Sequence, residues 1–328
     1  MDLFTKTPNP IAGFLAFVLV AALAVLMAGG ARAGGWENSR ELAMRLKEAG
    51  RTVEAYRAAA GFSSSNAADM YDREFVAGWI ALRNLGRADI ALEHFKGMAS
   101  RISGIKSDRQ GVAKSKAGYW LGRTLKAMGR KQDADRMFRS SMAFSTTFYG
   151  QLSASELGVV IDRNALPKSM LASYPVKSFY WHDSRPGKAL VHAVIREESR
   201  FRQGAESNKK AKGLMQVLDG TARHVGRQAG VNVDVNMMRN NPDYNVAVGS
   251  RYLGDLLDQY QGNPMLALCA YNAGPLRADE WLKRFGDPRG GKVDTVDWAE
   301  NIPFRETREY VQKVMGSYMV YLALIPRD

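Results

Sequence analysis

The chain of 328 residues has one cysteine, Cys269, and four histidines, His94, His182, His192 and His224. A single thiol forms no intramolecular disulfide and no multi-thiolate zinc or iron–sulfur site, and the histidines show no ligand spacing; metal chemistry is therefore disfavoured and no cofactor is expected. Acidic residues are in the minority, with 33 Asp and Glu against 46 Lys and Arg and a net charge of +13. That excess predicts attraction to a polyanion without saying whether it is nucleic acid, a membrane surface or an acidic polymer. Proline is absent between about 36 and 160, and no convincing strand-like alternation of apolar and polar residues follows. What remains, 46% hydrophobic and 24% charged, is ordinary globular composition, which excludes wholesale disorder, collagen-like repeats and coiled-coil rods.

The amino end carries an uncharged run from Ile11 to Ala31, preceded by Lys6 and followed by the small-residue sequence Ala31-Arg32-Ala33. Its strongest apolar stretch, Phe14 to Met27, is shorter than the roughly 20 residues that a membrane-spanning helix needs. The layout predicts a secretory signal over 1–33, cleaved after Ala33, and hence an exported protein. Asp2 weakens the positive amino-terminal region, so retention as a membrane anchor stays the alternative. Cleavage would remove Lys6, Arg32 and Asp2 and leave the positive excess nearly intact.

Apolar residues beyond this segment recur at helical spacing, as in Phe75, Trp79, Leu82 and Leu85. At an offset of 43 residues, Gly86, Ala91 and Phe95 superpose on Gly129, Ala134 and Phe138. Each set reads as a helix, a glycine turn and a second helix whose small alanine allows close approach. This resembles a tetratricopeptide-type unit with a longer period than the usual 34 or so, the alternative being two unrelated helical hairpins. The expected organisation is all-α, with a superhelical array over 34–162, a linker over 163–187 broken by Pro167, Pro175 and Pro186, and a second helical domain over 188–328.

The helix Lys188 to Phe201, KALVHAVIREESRF, is the informative one. Leu190, Val191, Val194 and Ile195 cluster on one face with Glu198 near its centre, Glu197 lies a quarter-turn away, and Arg196 is nearly opposite. A carboxyl on an apolar face should have a raised pKa, which suits a general acid at neutral pH; a structural ion pair at Glu198 is the alternative.

IREESRF is followed by a turn at Ser207, GLMQ (Gly213 to Gln216), NVAVGSRYL (Asn245 to Leu253), ALCAYNAG (Ala267 to Gly274) and ENIPFRETREYV (Glu300 to Val311). In this order and near this spacing the set resembles the soluble lytic transglycosylases, and more distantly the goose-type lysozymes, over nearly all of 186–328. Upstream, TTFYGQL (Thr146 to Leu152) is similar to the segment that closes the helical domain in longer members. The resemblance implies a lysozyme-like α-helical domain with Glu198 as catalytic acid/base and Ser207, Gln216, Leu218, Tyr271, Asn272, Glu306 and Tyr310 along the substrate cleft. It also implies peptidoglycan glycan strands as substrate, cleaved without water to leave a 1,6-anhydromuramoyl end, and a place in the periplasm. Nucleic acid is not an expected partner; the helical array is a surface for protein partners.

Bland readings stand beside these assignments. Ser207 serves as a turn residue, Asn272 and Gly274 fix a loop, and Glu306 is an exposed helix residue beside Arg305 and Arg308. Against the last, Glu306, Tyr310, Val314 and Tyr318 stand four apart on one helix stripe. Two departures from the family pattern also matter. Lys210-Ala211-Lys212 replaces a Gly-Ala turn before GLMQ, and Val217-Leu218-Asp219 replaces an apolar-Met-Pro sequence after it. For the whole chain, a hydrolytic muramidase and an inactive wall-binding scaffold are the competing functions.

Overall fold

The computed structural model describes residues 35–179 and 184–325; the expected signal segment, 1–33, lies outside the described residues. The described residues are helical, with no strand and only two isolated β-bridges, Glu206 to Lys212 and Lys212 to Val217. The helices are α1 (Trp36–Glu48), α2 (Thr52–Ala60), α3 (Ala67–Arg83), α4 (Ala88–Ser100), α5 (Gln110–Ala127), α6 (Lys131–Met142), α7 (Phe148–Glu156) and α8 (Lys168–Leu171). There follow α9 (Gly187–Ser199), α10 (Asp219–Ala229), α11 (Met237–Asn240), α12 (Pro242–Gln259), α13 (Pro264–Ala273), α14 (Pro275–Phe285), α15 (Thr295–Asn301) and α16 (Arg305–Leu324). None of them is long and apolar enough to cross a membrane.

Contacts group the chain into two compact units. One runs to Gln110 and includes Arg123–Arg130; the other comprises Gly111–Gly122 and everything from Lys131 onward. The contact-defined division therefore falls earlier than the proline-broken stretch at 163–187, and α6 and α7 group with the carboxyl-terminal helices.

The first unit is built on the aromatic residues of α3 and α4. Phe75, Trp79 and Phe95 are buried, and the Phe95 ring lies against Gly78, where an added Cβ would approach it to 3.0 Å. Asn66 caps α3 by accepting the backbone N–H groups of Ala68 and Asp69, and the turn that follows the helix is made at Gly86 with φ +64°. The second hairpin repeats the local devices: Gly129 has φ +74°, Ala134 and Phe138 are buried, and Phe138 lies against Gly122. In both hairpins the ring rests on a glycine of the preceding helix, so close approach depends on that glycine as well as on the alanine.

In the second unit α13 is buried from Met265 to Ala270 without a break, as befits a helix surrounded by others. It packs against α12, α14 and α16, and α9 packs along α16. Its start is written in the sequence: Asn263 caps it and Pro264 supplies the pre-set φ of the first turn, as Asn241 and Pro242 do for α12. Cys269 sits in this core, where burial pushes its thiol up to about 12, so it is an inert apolar filler. Leu190, Val191, Val194 and Ile195 of α9 are all buried, as their spacing predicts.

TTFYGQL belongs to this unit. Thr147 caps α7 by accepting the Gly150 N–H, and a Cβ at Gly316 of α16 would meet the Phe148 nitrogen at 2.8 Å. The Tyr149 hydroxyl donates to Glu300 of α15, which is fully buried and also receives Lys116 at 2.8 Å and the Gln312 amide at 2.8 Å. Although burial opposes ionisation, Lys116 and Arg308 hold the Glu300 carboxyl below its ordinary value. Two motifs far apart in the chain are thus joined through one buried carboxylate.

Candidate active site

The site forms where α9 ends. Ser199 Oγ donates to the Ile195 carbonyl, and Arg200 and Phe201 follow with φ +51° and +59°, so the chain turns off sharply just after Glu198. Both glutamates of the pair are half-buried as whole residues, yet the Glu198 carboxyl itself is deeply buried, in line with the helix-face argument. Their partners separate them further. Glu197 pairs with Arg196 and accepts the Ser317 hydroxyl at 2.6 Å, whereas no cation pairs with Glu198 among the described residues. Burial pushes the Glu198 carboxyl up to about 7; the Glu306 and Glu197 carboxylates reinforce the rise, and the Tyr310 hydroxyl opposes it.

Two phenols stand beside Glu198. Burial and the proximity of Glu198 hold Tyr271 and Tyr310 well above the ordinary phenol value, so both are neutral at working pH. The Tyr271 hydroxyl donates to the Met215 carbonyl at 2.8 Å, and its ring meets Tyr252 at 5.5 Å between centroids. The Tyr310 hydroxyl is buried without a hydrogen bond of good geometry among the described residues, yet stands near enough to Glu198 to donate toward it. Glu306 is exposed one turn earlier on α16, and Val314 is buried one turn later.

The GLMQ loop is fixed from behind by Asn245, which is fully buried and uses its whole amide. Its Oδ1 accepts the Met215 N–H at 2.8 Å, and its Nδ2 donates to the Lys212 and Met238 carbonyls at 2.9 and 2.8 Å. Gly213 has φ +74°, and a Cβ there would fall 2.3 Å from Asn245 Nδ2 and 2.4 Å from the Met238 oxygen. Gly213→Ala is therefore expected to lower stability by more than about 2 kcal/mol. Urea unfolding measures it, and an unchanged midpoint would mean that the loop is not seated on Asn245 as described.

The remaining expected residues are placed as follows. Ser207 shapes a turn: its Oγ accepts the Ala211 N–H at 3.0 Å and its N–H donates to the Ala211 carbonyl. Gln216 has φ +48°, and its amide donates to the Ala205 and Gly213 carbonyls at 3.1 and 2.8 Å, which leaves its oxygen to accept. Leu218 is exposed at the start of α10. Asn272 accepts the Thr307 hydroxyl at 2.7 Å and so ties the end of α13 to the first turn of α16.

Both departures from the family pattern have visible consequences. Lys210 takes φ +64°, the left-handed conformation that suits a glycine. Lys212 pairs with Asp219 at 2.7 Å, so the charge introduced before GLMQ meets the one introduced after it. Lys210 likewise pairs with Glu206 at 2.9 Å. Lys210 and Lys212 thus each meet a carboxylate, the Lys212 ammonium being the more buried of the two.

Sequence reasoning missed Asn245, Thr307 and the Arg196–Glu197–Ser317 cluster. Asn245 opens the NVAVGSRYL motif, and a polar residue leading an apolar helical run is the signal it offers.

Residues 183–292 match the family described as the Transglycosylase SLT domain. The soluble lytic murein transglycosylase of Escherichia coli (strain K12) is 35% identical over 132 residues, 39% of this chain and 20% of that protein. A putative soluble lytic murein transglycosylase of Haemophilus influenzae is 34% identical over 137 residues, 42% of this chain and 22% of that protein. The matches thus span about a fifth of the length of these curated relatives. Among solved structures, an inactive mutant of the lytic transglycosylase Slt from Pseudomonas aeruginosa is similar with a TM-score of 0.63 at 24% identity, over 92% of this chain and 60% of that one. The 70 kDa soluble lytic transglycosylase from Escherichia coli is similar with a TM-score of 0.52 at 18% identity, over 89% and 64% of the two chains. At these identities the structural likeness speaks to the fold, and the sequence match speaks to the carboxyl-terminal part: residues 183–292 of this chain are similar to the Transglycosylase SLT domain.

Proposed function

We propose that the protein is a lytic transglycosylase that cleaves the β-1,4 bond between N-acetylmuramic acid and N-acetylglucosamine in peptidoglycan. The carrying observation is the Glu198 carboxyl, lifted to about 7 with no cation beside it, within residues similar to the Transglycosylase SLT domain. Such a group is protonated on a useful fraction of molecules near neutrality and loses its proton readily, as an acid that must then act as a base requires.

Protonated Glu198 donates to the glycosidic oxygen as the C1–O bond breaks. The 2-acetamido group of the muramoyl sugar stabilises the positive charge developing at C1. Glu198, now a carboxylate, takes the proton of the C6 hydroxyl of the same sugar, whose oxygen bonds to C1 and closes the 1,6-anhydro ring. The nucleophile is intramolecular, so positioning replaces activation of water. Tyr310, with an uncommitted buried hydroxyl, donates to the carboxylate or to the acetamido oxygen. Gln216 offers its oxygen to a sugar N–H or hydroxyl. Tyr271 braces the GLMQ loop through the Met215 carbonyl and presents ring surface to a sugar. Ser207, Leu218, Asn272 and Glu306 complete the proposed cleft. The reaction as written uses no metal or cofactor.

Around this chemistry we place a signal segment over 1–33, a superhelical array over 34–162 that serves protein partners, a linker over 163–187 and a catalytic domain over 188–328, working in the periplasm. One observation favours hydrolysis as a second reading: Glu306 is an exposed carboxylate close enough to raise Glu198, and a two-carboxylate glycosidase would use such a residue to activate water. Mass spectrometry of fragments released from purified peptidoglycan separates the two. Transglycosylation yields fragments one water lighter than the reducing-end products of hydrolysis; reducing ends alone would establish the muramidase, and no fragments at all would refute both.

A further inference from the structure

The ion pair beside Glu198 is built more firmly than an ordinary surface pair. Besides pairing with Glu197, Arg196 donates from Nε to the Ser173 carbonyl at 3.0 Å and from a terminal nitrogen to Ser317 Oγ at 3.2 Å, and its guanidinium lies 4.0 Å from the Tyr174 ring centroid. Ser317 Oγ in turn donates to Glu197 at 2.6 Å. The segment carrying Ser173 and Tyr174 is itself held to α16, where the Tyr321 hydroxyl donates to the Pro175 carbonyl at 3.2 Å. The cation has therefore little freedom to swing away from Glu197.

Two adjacent carboxyls on one helix repel when both are ionised, so a clamped cation on one of them bears directly on the other. We propose that Arg196 and Glu197 are positioning residues that together set the pH range over which Glu198 holds its proton. Glu197 favours the protonated acid by repulsion, and Arg196 limits that repulsion by neutralising it. The proposal rests on the reading of Glu198 as the acid/base.

The other titratable groups facing Glu198 are Glu306 and Tyr310 from α16 and Tyr271 from α13, with Tyr252 of α12 behind Tyr271. Both phenols beside Glu198 stay neutral, so only the Glu306 charge adds to that of Glu197. Glu306 has no cation paired with it among the described residues, which makes the Arg196–Glu197 pair the adjustable part of the local charge.

The test is the pH–rate profile of glycan release from purified peptidoglycan by the full chain and three variants. Glu197→Gln removes the repulsion and leaves Arg196 uncompensated, so the alkaline limb should move to lower pH by roughly half a unit or more, about three-fold in rate along that limb. Arg196→Gln leaves Glu197 uncompensated and should move the limb the other way. The double variant should return it to near the wild-type position. A merely structural pair would lower all rates without these opposed shifts. Glu197→Gln keeps shape and hydrogen-bonding capacity, so it decides the matter even if Arg196→Gln does not fold. An alkaline limb that stays put or rises in folded Glu197→Gln would overturn the proposal while leaving Glu198-dependent cleavage standing. Undiminished cleavage by Glu198→Gln would overturn the underlying reading and the proposal with it.

Discussion

Glu198→Gln should abolish release of glycan fragments, by about a thousand-fold or more, because glutamine keeps the shape of the side chain and cannot cycle a proton. The same substitution should leave the fold intact, and its effect on stability has a definite sign. Burial lifts the folded-state carboxyl from an ordinary value of 4.5 to about 7. The folded protein therefore binds this proton more tightly than the unfolded chain does, and the resulting stabilisation is complete below about pH 4.5 and lost as pH rises to about 7. Glutamine removes that dependence. Relative to the wild type, Glu198→Gln should gain thermal stability between pH 4 and pH 8, as read from melting curves at the two values. An active variant would sink the assignment of the acid. An inactive variant whose stability relative to the wild type does not change with pH would mean that Glu198 is an ordinary carboxylate.

The second large effect is at Glu300, remote from the chemistry. Glu300→Ala should destabilise the protein by about 3–5 kcal/mol, since it removes the buried carboxylate that Lys116 meets at 2.8 Å and takes the acceptor from the buried Tyr149 hydroxyl. For a unit of this size that is on the order of 10 °C in melting temperature. Here the pH sign is reversed. Burial resists the charge, but Lys116 and Arg308 prevail and hold the carboxyl below 4.5, so its contribution is present above that value and lost as pH falls through the depressed one. The wild type should therefore lose more stability on acidification than Glu300→Ala does. Equal losses, or a drop of less than about 1 kcal/mol at neutral pH, would mean that the buried pair does not hold α7 and α15 together.

These two glutamates show how much could be read from the sequence. The apolar face of α9 was legible because Leu190, Val191, Val194 and Ile195 repeat at helical spacing. Glu198 itself was found by motif and face together. Its distinction from Glu197 was legible only in part, because helical rotation says where a side chain points and not what meets it from another helix; Ser317, which helps settle the matter, is 120 residues away. The same holds for Tyr149 of TTFYGQL and Glu300 of ENIPFRETREYV, joined only by the fold across 151 residues. The turn at Lys210 illustrates the converse. The missing glycine was visible in the sequence, whereas the pairing of Lys212 with Asp219, which joins the two departures, required the structure.

The central claim is that one carboxyl, held protonated near neutrality by its surroundings, serves as both acid and base. It is tested most directly by titrating Glu198 itself, following carboxyl-carbon resonances in glutamate-labelled protein and assigning the Glu198 signal by its loss in Glu198→Gln. The account predicts a midpoint near pH 7 for that signal. A midpoint near the ordinary value of 4.5 would contradict it.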